Sequence, residues 1–408
     1  MTGADLIAIF AALIFAAAIL PGTLGVLLMT SKIAAKDWGA RLIYQKAMWI
    51  AGAAAALMAL SWGLALSAGN ISLLLLGASA LFGGVAVFGF FMHTKFLFKP
   101  VTKPLYMSVD EAIKKFGPDE EVVGVIDDNG VAWAYVARLA RRPHIVEQRQ
   151  GDSPFMMTHC ILAHSSMAFA LENQFAAPNI TITSALANNL VFYEKNTKCS
   201  IVQAHNGSPD GAAALRMVPT IAVSLQTWKD SYGDTKVWYR NKEWRDEFYL
   251  KLLARADVID PNSPVMVYPL KHGLDDRLAM KSMVTGVEVN GQSRTYTLDH
   301  SRDNPLIHDQ IAGVDILVAS GFDIDLIQVF DRTVDGKALT FTADGDNHFV
   351  DNQTRSKWSL LGLCIEGEMK GKKLALIPHY NKMFWYVWAD YHPNTEIYNP
   401  ANQAAAAA

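Results

Sequence analysis

Apolar residues fall into two regimes along this chain. No charged residue occurs from Leu6 to Ser31, and none again between Lys46 and Lys95, whereas beyond residue 100 apolar and polar positions alternate. About 20 helical residues cross the hydrocarbon of a bilayer, so the first stretch suits one span and the second is too long for one. The second divides at Ser67-Ala68-Gly69-Asn70, which predicts three transmembrane helices at about 5–30, 43–67 and 71–93. Backbone groups in lipid must be paired within their own segment, which makes these Ala/Leu/Gly-rich stretches helices. Trp38, Trp49 and Trp62 fall near the expected ends, as in an aromatic belt. A cleaved signal peptide would need a basic start and a short apolar run. Here the N-terminus carries only Asp5 and the run is long, so the first helix is expected to be retained. Small residues in AGAAAALMA and GASALFGG predict close packing, among the three helices or against a partner's.

The basic residues give an orientation. Lys32, Lys36 and Arg41 lie in the first loop, none in the second, and Lys95, Lys99 and Lys103 after the third helix. The positive-inside rule then places the first loop and the C-terminal region on the cytoplasmic side.

After Pro100 and Pro104, Ser108-Val109-Asp110-Glu111 reads as a capping box opening a helix. VVGVIDDNGVAWAYVARL follows with the alternation of strands, Asn129-Gly130 marking a hairpin. The same unit returns later. Gly124-Val125, Asn129-Gly130 and Tyr135 correspond in order to Gly286-Val287, Asn290-Gly291 and Tyr296, with the same interval from Asn-Gly to the tyrosine and one residue fewer after the glycine in the second. Near the ends, Pro219, Trp228, Asp230 and Thr235 echo Pro378, Trp388, Asp390 and Thr395, with the same intervals from the tryptophan onward. The expected architecture is a three-helix transmembrane anchor followed by an α+β, β-rich soluble region built from two copies of one domain. Its boundaries are 1–95 for the anchor, 105–240 and 275–400 for the copies, 241–274 for a helical connector and 401–408 for a tail. The connector helix is read at Lys242–Ala256.

Composition narrows the function classes. Charged residues make up 18% of the 408, below the soluble norm of about 25%. A net charge of −3 argues against a nucleic-acid partner. Cys160, Cys199 and Cys364 are too far apart for a disulfide scaffold or a paired-CxxC zinc module. No phosphate-binding glycine loop, nucleophile elbow or H-E-x-x-H occurs.

In the second copy, VTGVEVNGQSRTYTL, VFDRTVDGKALTF, DNQTRSKWS, GEMKGKKLALIP and WADYHPNTEIY follow in order. This series resembles a bacterial family known as domain of unknown function 3179. The resemblance covers most of the chain after residue 105 and is most specific in the latter half of the second copy. It implies no established activity; many members look exported or lipid-anchored, which opposes the side read from the lysines. Both copies depart from the family pattern. In the first, Cys160 matches the first cysteine of the family's T-Y-C-P-L-C-x-S, Ala163 stands at the second, and His144 matches its histidine with a one-residue offset. In the second, Gly321 and Ile324 replace both cysteines and Asn304 the histidine. There, Phe330-Asp331-Arg332 and Thr354-x-Ser356-x-Trp358-Ser359 are intact.

Two sets of residues are the candidates for chemistry. His144, His159, Cys160 and His164 are the clustered thiol and imidazoles, a ligand set that zinc or copper would accept. Cys160 with His144 is the weaker alternative, a nucleophile and its base. On a strand His159 and Cys160 point to opposite faces, which favours a buried cysteine beside ordinary histidines. Asp331 and Arg332 form the second set, expected to make separate cross-strand ion pairs. The hydroxyls of Thr354, Ser356 and Ser359 beside Trp358 are expected to bond nearby backbone. Trp385, Tyr386, Trp388 and Tyr391 read as core. No cofactor is expected. The leading expectation is a non-catalytic, membrane-anchored accessory or scaffold subunit, partnered by the bilayer and by other membrane subunits or its own copies. The alternative is a membrane-bound enzyme or metal protein, with its site in the first copy or where the copies meet.

Overall fold

The computed structural model of the chain describes all residues except 25–30, 234, 253–255, 322–326, 346–347 and 401–408. The expected end of the first helix, the position of Ile324 and the alanine tail therefore lie outside the described residues. The chain divides into two compact units, Met1–Pro100 with Glu172–Ala214, and Val101–Leu171 with Leu215–Ala408.

In the first unit three helices are long and apolar enough to cross a membrane, Gly3–Leu24, Asp37–Ser67 and Leu73–Met92. Within the second, Arg41–Lys46 is a π-helical segment leading into Ala47–Ser67. Small side chains let the first helix approach the other two. Ala8, Ala11 and Ala12 are buried with Met58, Ala65, Leu75 and Ala78, and a Cβ on Gly89 would stand 2.6 Å from Ile19. Hydrogen bonds clamp the helices together. Ser61 donates to the Ala4 carbonyl at 2.6 Å, and Ser72 donates to the Asp5 carboxylate. The half-buried Trp62 donates from its indole to Ser79 at 2.9 Å. Trp38 and Trp49 are exposed, as a belt residue would be, but Trp62 is a bridge between helices.

The antiparallel sheet Ile180–Leu186, Asn189–Glu194 and Cys199–Val202 belongs to this same unit. The Tyr44 hydroxyl donates to the Thr183 carbonyl at 2.5 Å, and the Ser200 amide donates to Asp37 at 2.6 Å. Tyr193 packs in one cluster with Ala34, Ala40, Ile43 and Tyr44. Residues 172–214 thus group with the N-terminal helices, where the sequence reading kept 105–240 in one piece. Alternation says that a strand has a buried face, but not which surface buries it.

The second unit begins with the expected capping box, Ser108 and Glu111 closing the start of helix Val109–Phe116. Strand Glu121–Ile126 pairs antiparallel with Ala132–Val136 and with Thr220–Ser224. Ala132–Val136 then takes Lys236–Tyr239 in parallel. Later in the chain, Met283–Val289 pairs antiparallel with Gln292–Thr297 and His379–Phe384, and Gln292–Thr297 takes Glu396–Ile397 in parallel. Strand Phe155–Cys160 lies between Ile145–Gln148 and Ser165–Ala170, as Val314–Ser320 lies between Leu306–Ile311 and Ile327–Asp331. The hairpins differ in their turns. Asn290 and Gly291 both have positive φ, a two-residue turn. Before Asn129-Gly130, Asp127 instead accepts the amides of Asn129 and Val131 and the Trp133 indole.

Trp228 and Trp388 are fully buried, each against a glycine that leaves room for its ring. A Cβ on Gly124 would stand 2.1 Å from Trp228, and one on Gly286 2.4 Å from Trp388. Each indole donates to a threonine seven residues on, Thr235 at 3.3 Å and Thr395 at 3.0 Å. Asp230 and Asp390 differ in use. Asp230 accepts from the Gln226 amide, whereas buried Asp390 accepts the backbone amides of Lys271 and His272 and so anchors the connector. Among the described residues the connector is helical over Trp244–Leu252 and Ala256–Ile259. One core holds Val122, Val223 and Trp228 together with Leu317, Phe330 and Trp358, so the earlier and later β segments share their apolar interior.

Candidate functional site

Three histidines and a cysteine collect around the turn after strand Phe155–Cys160. Strand Ile145–Gln148 begins just after His144 and pairs alongside, bringing His144 to His159. The His159 amide donates to the His144 carbonyl at 2.7 Å, and His144 Nδ1 lies 3.0 Å from the His159 carbonyl. His144 Nε2 is 3.3 Å from the Tyr249 hydroxyl, with the two rings edge to face. His159 Nδ1 is 2.9 Å from Ser166 Oγ, and His164 Nδ1 is 3.2 Å from the Lys382 carbonyl. The loop at 161–164 is held by residues from the later segment. The Phe384 amide donates to the Ala163 carbonyl at 3.0 Å, and the Tyr386 hydroxyl to the Leu162 carbonyl at 3.0 Å. Lys382 sits 3.8 Å from Glu121. His144, His164 and Lys382 all have positive φ without being glycine, three costly backbone positions in one niche.

Burial sets the electrostatics here. It pulls the His144 imidazole down to about 4 and the His159 ring well below its ordinary range. His164 is lowered too, by burial first, with Glu121 working in the opposite direction. These rings are neutral at pH 7. Among the described residues, no three His, Cys, Asp or Glu side chains stand together as metal ligands would. The set His144, His159, Cys160 and His164 is therefore near in space but not convergent. The strand turns His159 and Cys160 to opposite faces, and a nitrogen of each ring faces a partner within the protein. Tyr249, Tyr386, Lys382 and Glu121 complete the niche, and sequence reading missed them. They come from the connector, a later strand and helix and an earlier strand, and no local spacing links them.

Asp331 and Arg332 close the end of strand Ile327–Asp331. Arg332 makes the expected cross-strand pair, 2.7 Å to Asp315, and also donates to the Leu339 carbonyl at 2.9 Å. Asp331 makes no ion pair among the described residues; it accepts the Thr333 amide at 2.8 Å and so caps a turn. The threonine-serine-tryptophan motif folds onto a carboxylate that the sequence reading did not single out. Asp351 accepts from the amides of Thr354 and Ser356, the Thr354 hydroxyl and the Trp358 indole at 2.5–3.1 Å. Burial opposes the charge, but these bonds hold the Asp351 carboxyl below its ordinary value. The motif is an inward-facing knot.

The chain thus combines three apolar helices with a β-rich region whose motif residues are engaged within the protein. The chain belongs to the family described as "Protein of unknown function (DUF3179)", which matches residues 99–395. No curated protein and no solved structure matches it.

Proposed function

We propose that the chain is a non-catalytic, membrane-anchored accessory or scaffold subunit whose β-rich part is two copies of one domain. The repeated order of strand pairing and the two glycine–tryptophan–threonine sets support the duplication. Tyr135 and Tyr296 also hold one register, each following the residue opposite the glycine. The first copy then carries residues 172–214 as an insertion.

The observation that carries the subunit reading is on the second helix. Gly52, Ala56, Ala59 and Gly63 are exposed at helical spacing on one face, and a Cβ on Gly52 or Gly63 would meet nothing. Lipid fills such a groove poorly, whereas a partner helix packs its backbone into it. The reactive residues support the same reading, since Arg332, the Asp351 knot and the histidine niche are engaged inside the protein. We place three spans in the bilayer with Lys32, Lys36 and Arg41 on the cytoplasmic side, as the lysine asymmetry favours.

Native mass determination in mild detergent tests this. The expected result is an assembly larger than one chain that falls apart in the double variant Ala56→Leu, Gly63→Leu. A single chain in both samples overturns the subunit reading. The runner-up, a membrane-bound enzyme or metal protein, is favoured by the three left-handed residues around Cys160. Stoichiometric zinc or copper that is lost on His144→Asn would move the assignment there.

A further inference from the structure

Between the two β segments lies a cleft of about 280 Å³. Its walls are apolar, formed by Ile126, Ile221, Phe330, Leu363 and Leu374 among others. Its polar groups divide by what they have left to offer. Asp127 is committed to its own turn and to Trp133. Asp128 is paired with Arg216 at 2.7 Å. Ser231 gives its proton to the Thr227 carbonyl at 2.8 Å. Ser359 accepts the Leu363 amide at 3.3 Å, which leaves its hydroxyl proton to donate. The Tyr232 hydroxyl and the Lys373 ammonium have no bonding partner among the described residues. Burial pushes the Tyr232 phenol up, so it stays a donor. The unspent groups are thus two hydroxyl donors and one cation, while both carboxylates are already satisfied.

We propose that this cleft binds a small amphipathic monocarboxylate, its apolar body against Phe330 and the leucines and its carboxylate received by Lys373, Tyr232 and Ser359. The volume lies just under the range of drug-sized sites and suits a ligand of roughly ten non-hydrogen atoms. An anion supplies acceptors to all three donors, which an amine or a neutral hydrocarbon does not. The assignment is independent of the subunit reading, since the site lies within one chain. Two of its residues, Phe330 and Ser359, belong to the motifs intact in the second copy.

The full-length chain, held in amphipol so that no detergent competes, is titrated with phenylpropionate by saturation-transfer NMR and calorimetry. One saturable site is expected. Lys373→Glu, at an exposed position, should weaken it by about tenfold, and Leu363→Trp, which fills the cleft, should abolish it. Phenylpropanol, the uncharged counterpart, should bind about tenfold more weakly than the acid. Absence of saturable binding to the unmodified chain overturns the site. So does binding that both variants leave unchanged while their thermal midpoints match the parent. Equal affinity for the alcohol overturns the anionic assignment.

Discussion

At Gly124 and Gly286 the absent side chain is what matters, because an indole occupies the space. Adding a methyl at either site pushes on a buried ring, and overpacking of this kind costs about 1–3 kcal/mol. Gly286→Ala is expected to lower the unfolding midpoint by that margin, and Trp388→Ala to cost about 3–5 kcal/mol through lost burial and a cavity. The two should not add: once the indole is gone, the Gly286→Ala penalty should nearly vanish, and additive losses would deny the contact. These pairs were legible in the sequence, because tryptophan and threonine repeat at one interval and Asn-Gly and tyrosine at another. His144 is a different case. Its imidazole is pulled by burial to about 4 in the folded chain, against about 6.5 unfolded. A group whose folded value is depressed binds its proton more tightly when unfolded. Its stabilisation is therefore whole above about pH 6.5 and drains as pH falls toward 4. Thermal midpoints of the parent and His144→Asn, followed from pH 7 to pH 4, should converge by about 3 kcal/mol equivalent. Parallel curves would show that His144 does not titrate against folding.

At the scale of elements, the turn Asp351–Ser359 shows how a motif can be read and its purpose missed. Threonine, serine and tryptophan at alternate positions suggested hydroxyls bonding nearby backbone. In the structure they converge on the carboxylate of Asp351, which precedes the motif. Asp351→Ala would strand a buried indole N–H and two backbone amides, a loss of about 3 kcal/mol or more. Asp351→Asn, which keeps one acceptor, should cost less, and calorimetric unfolding of the pair would show the order. Because the carboxyl is held below its ordinary value, its contribution is present at neutral pH. It is lost only as pH falls below about 4. The sheet at 180–202 was less legible. Its strands alternate like those before and after it, and only Tyr44 and Asp37, far earlier in sequence, reveal the surface it was made for. The π-helical segment at Arg41–Lys46 likewise has no sequence signature; the charge-free run alone suggested a helix start near residue 43.

For the whole molecule the decisive question is how many times the chain crosses the bilayer. Composition made three helices legible, and the structure adds which ends lie together. Asp5 meets Ser72 at one end of the helical group, while Tyr44 and Asp37 meet the 172–214 sheet at the other. The Ser67–Ser72 turn thus shares an end with the N-terminus, and the basic first loop shares one with the segment after Met92. Polar ends of this kind stay in water while the apolar lengths between them do not. If all three helices span, Asn70 and Lys103 must face opposite compartments. Single cysteines at these positions, in a background with Cys199 replaced by serine, can be probed with a membrane-impermeant maleimide on sealed vesicles. Asn70→Cys should label only from the side opposite Lys103→Cys, and Lys103→Cys from the cytoplasmic side. Labelling of both from one face would mean that an even number of crossings separates them. It would also remove the basis for placing the β-rich region on the side that the lysines indicate.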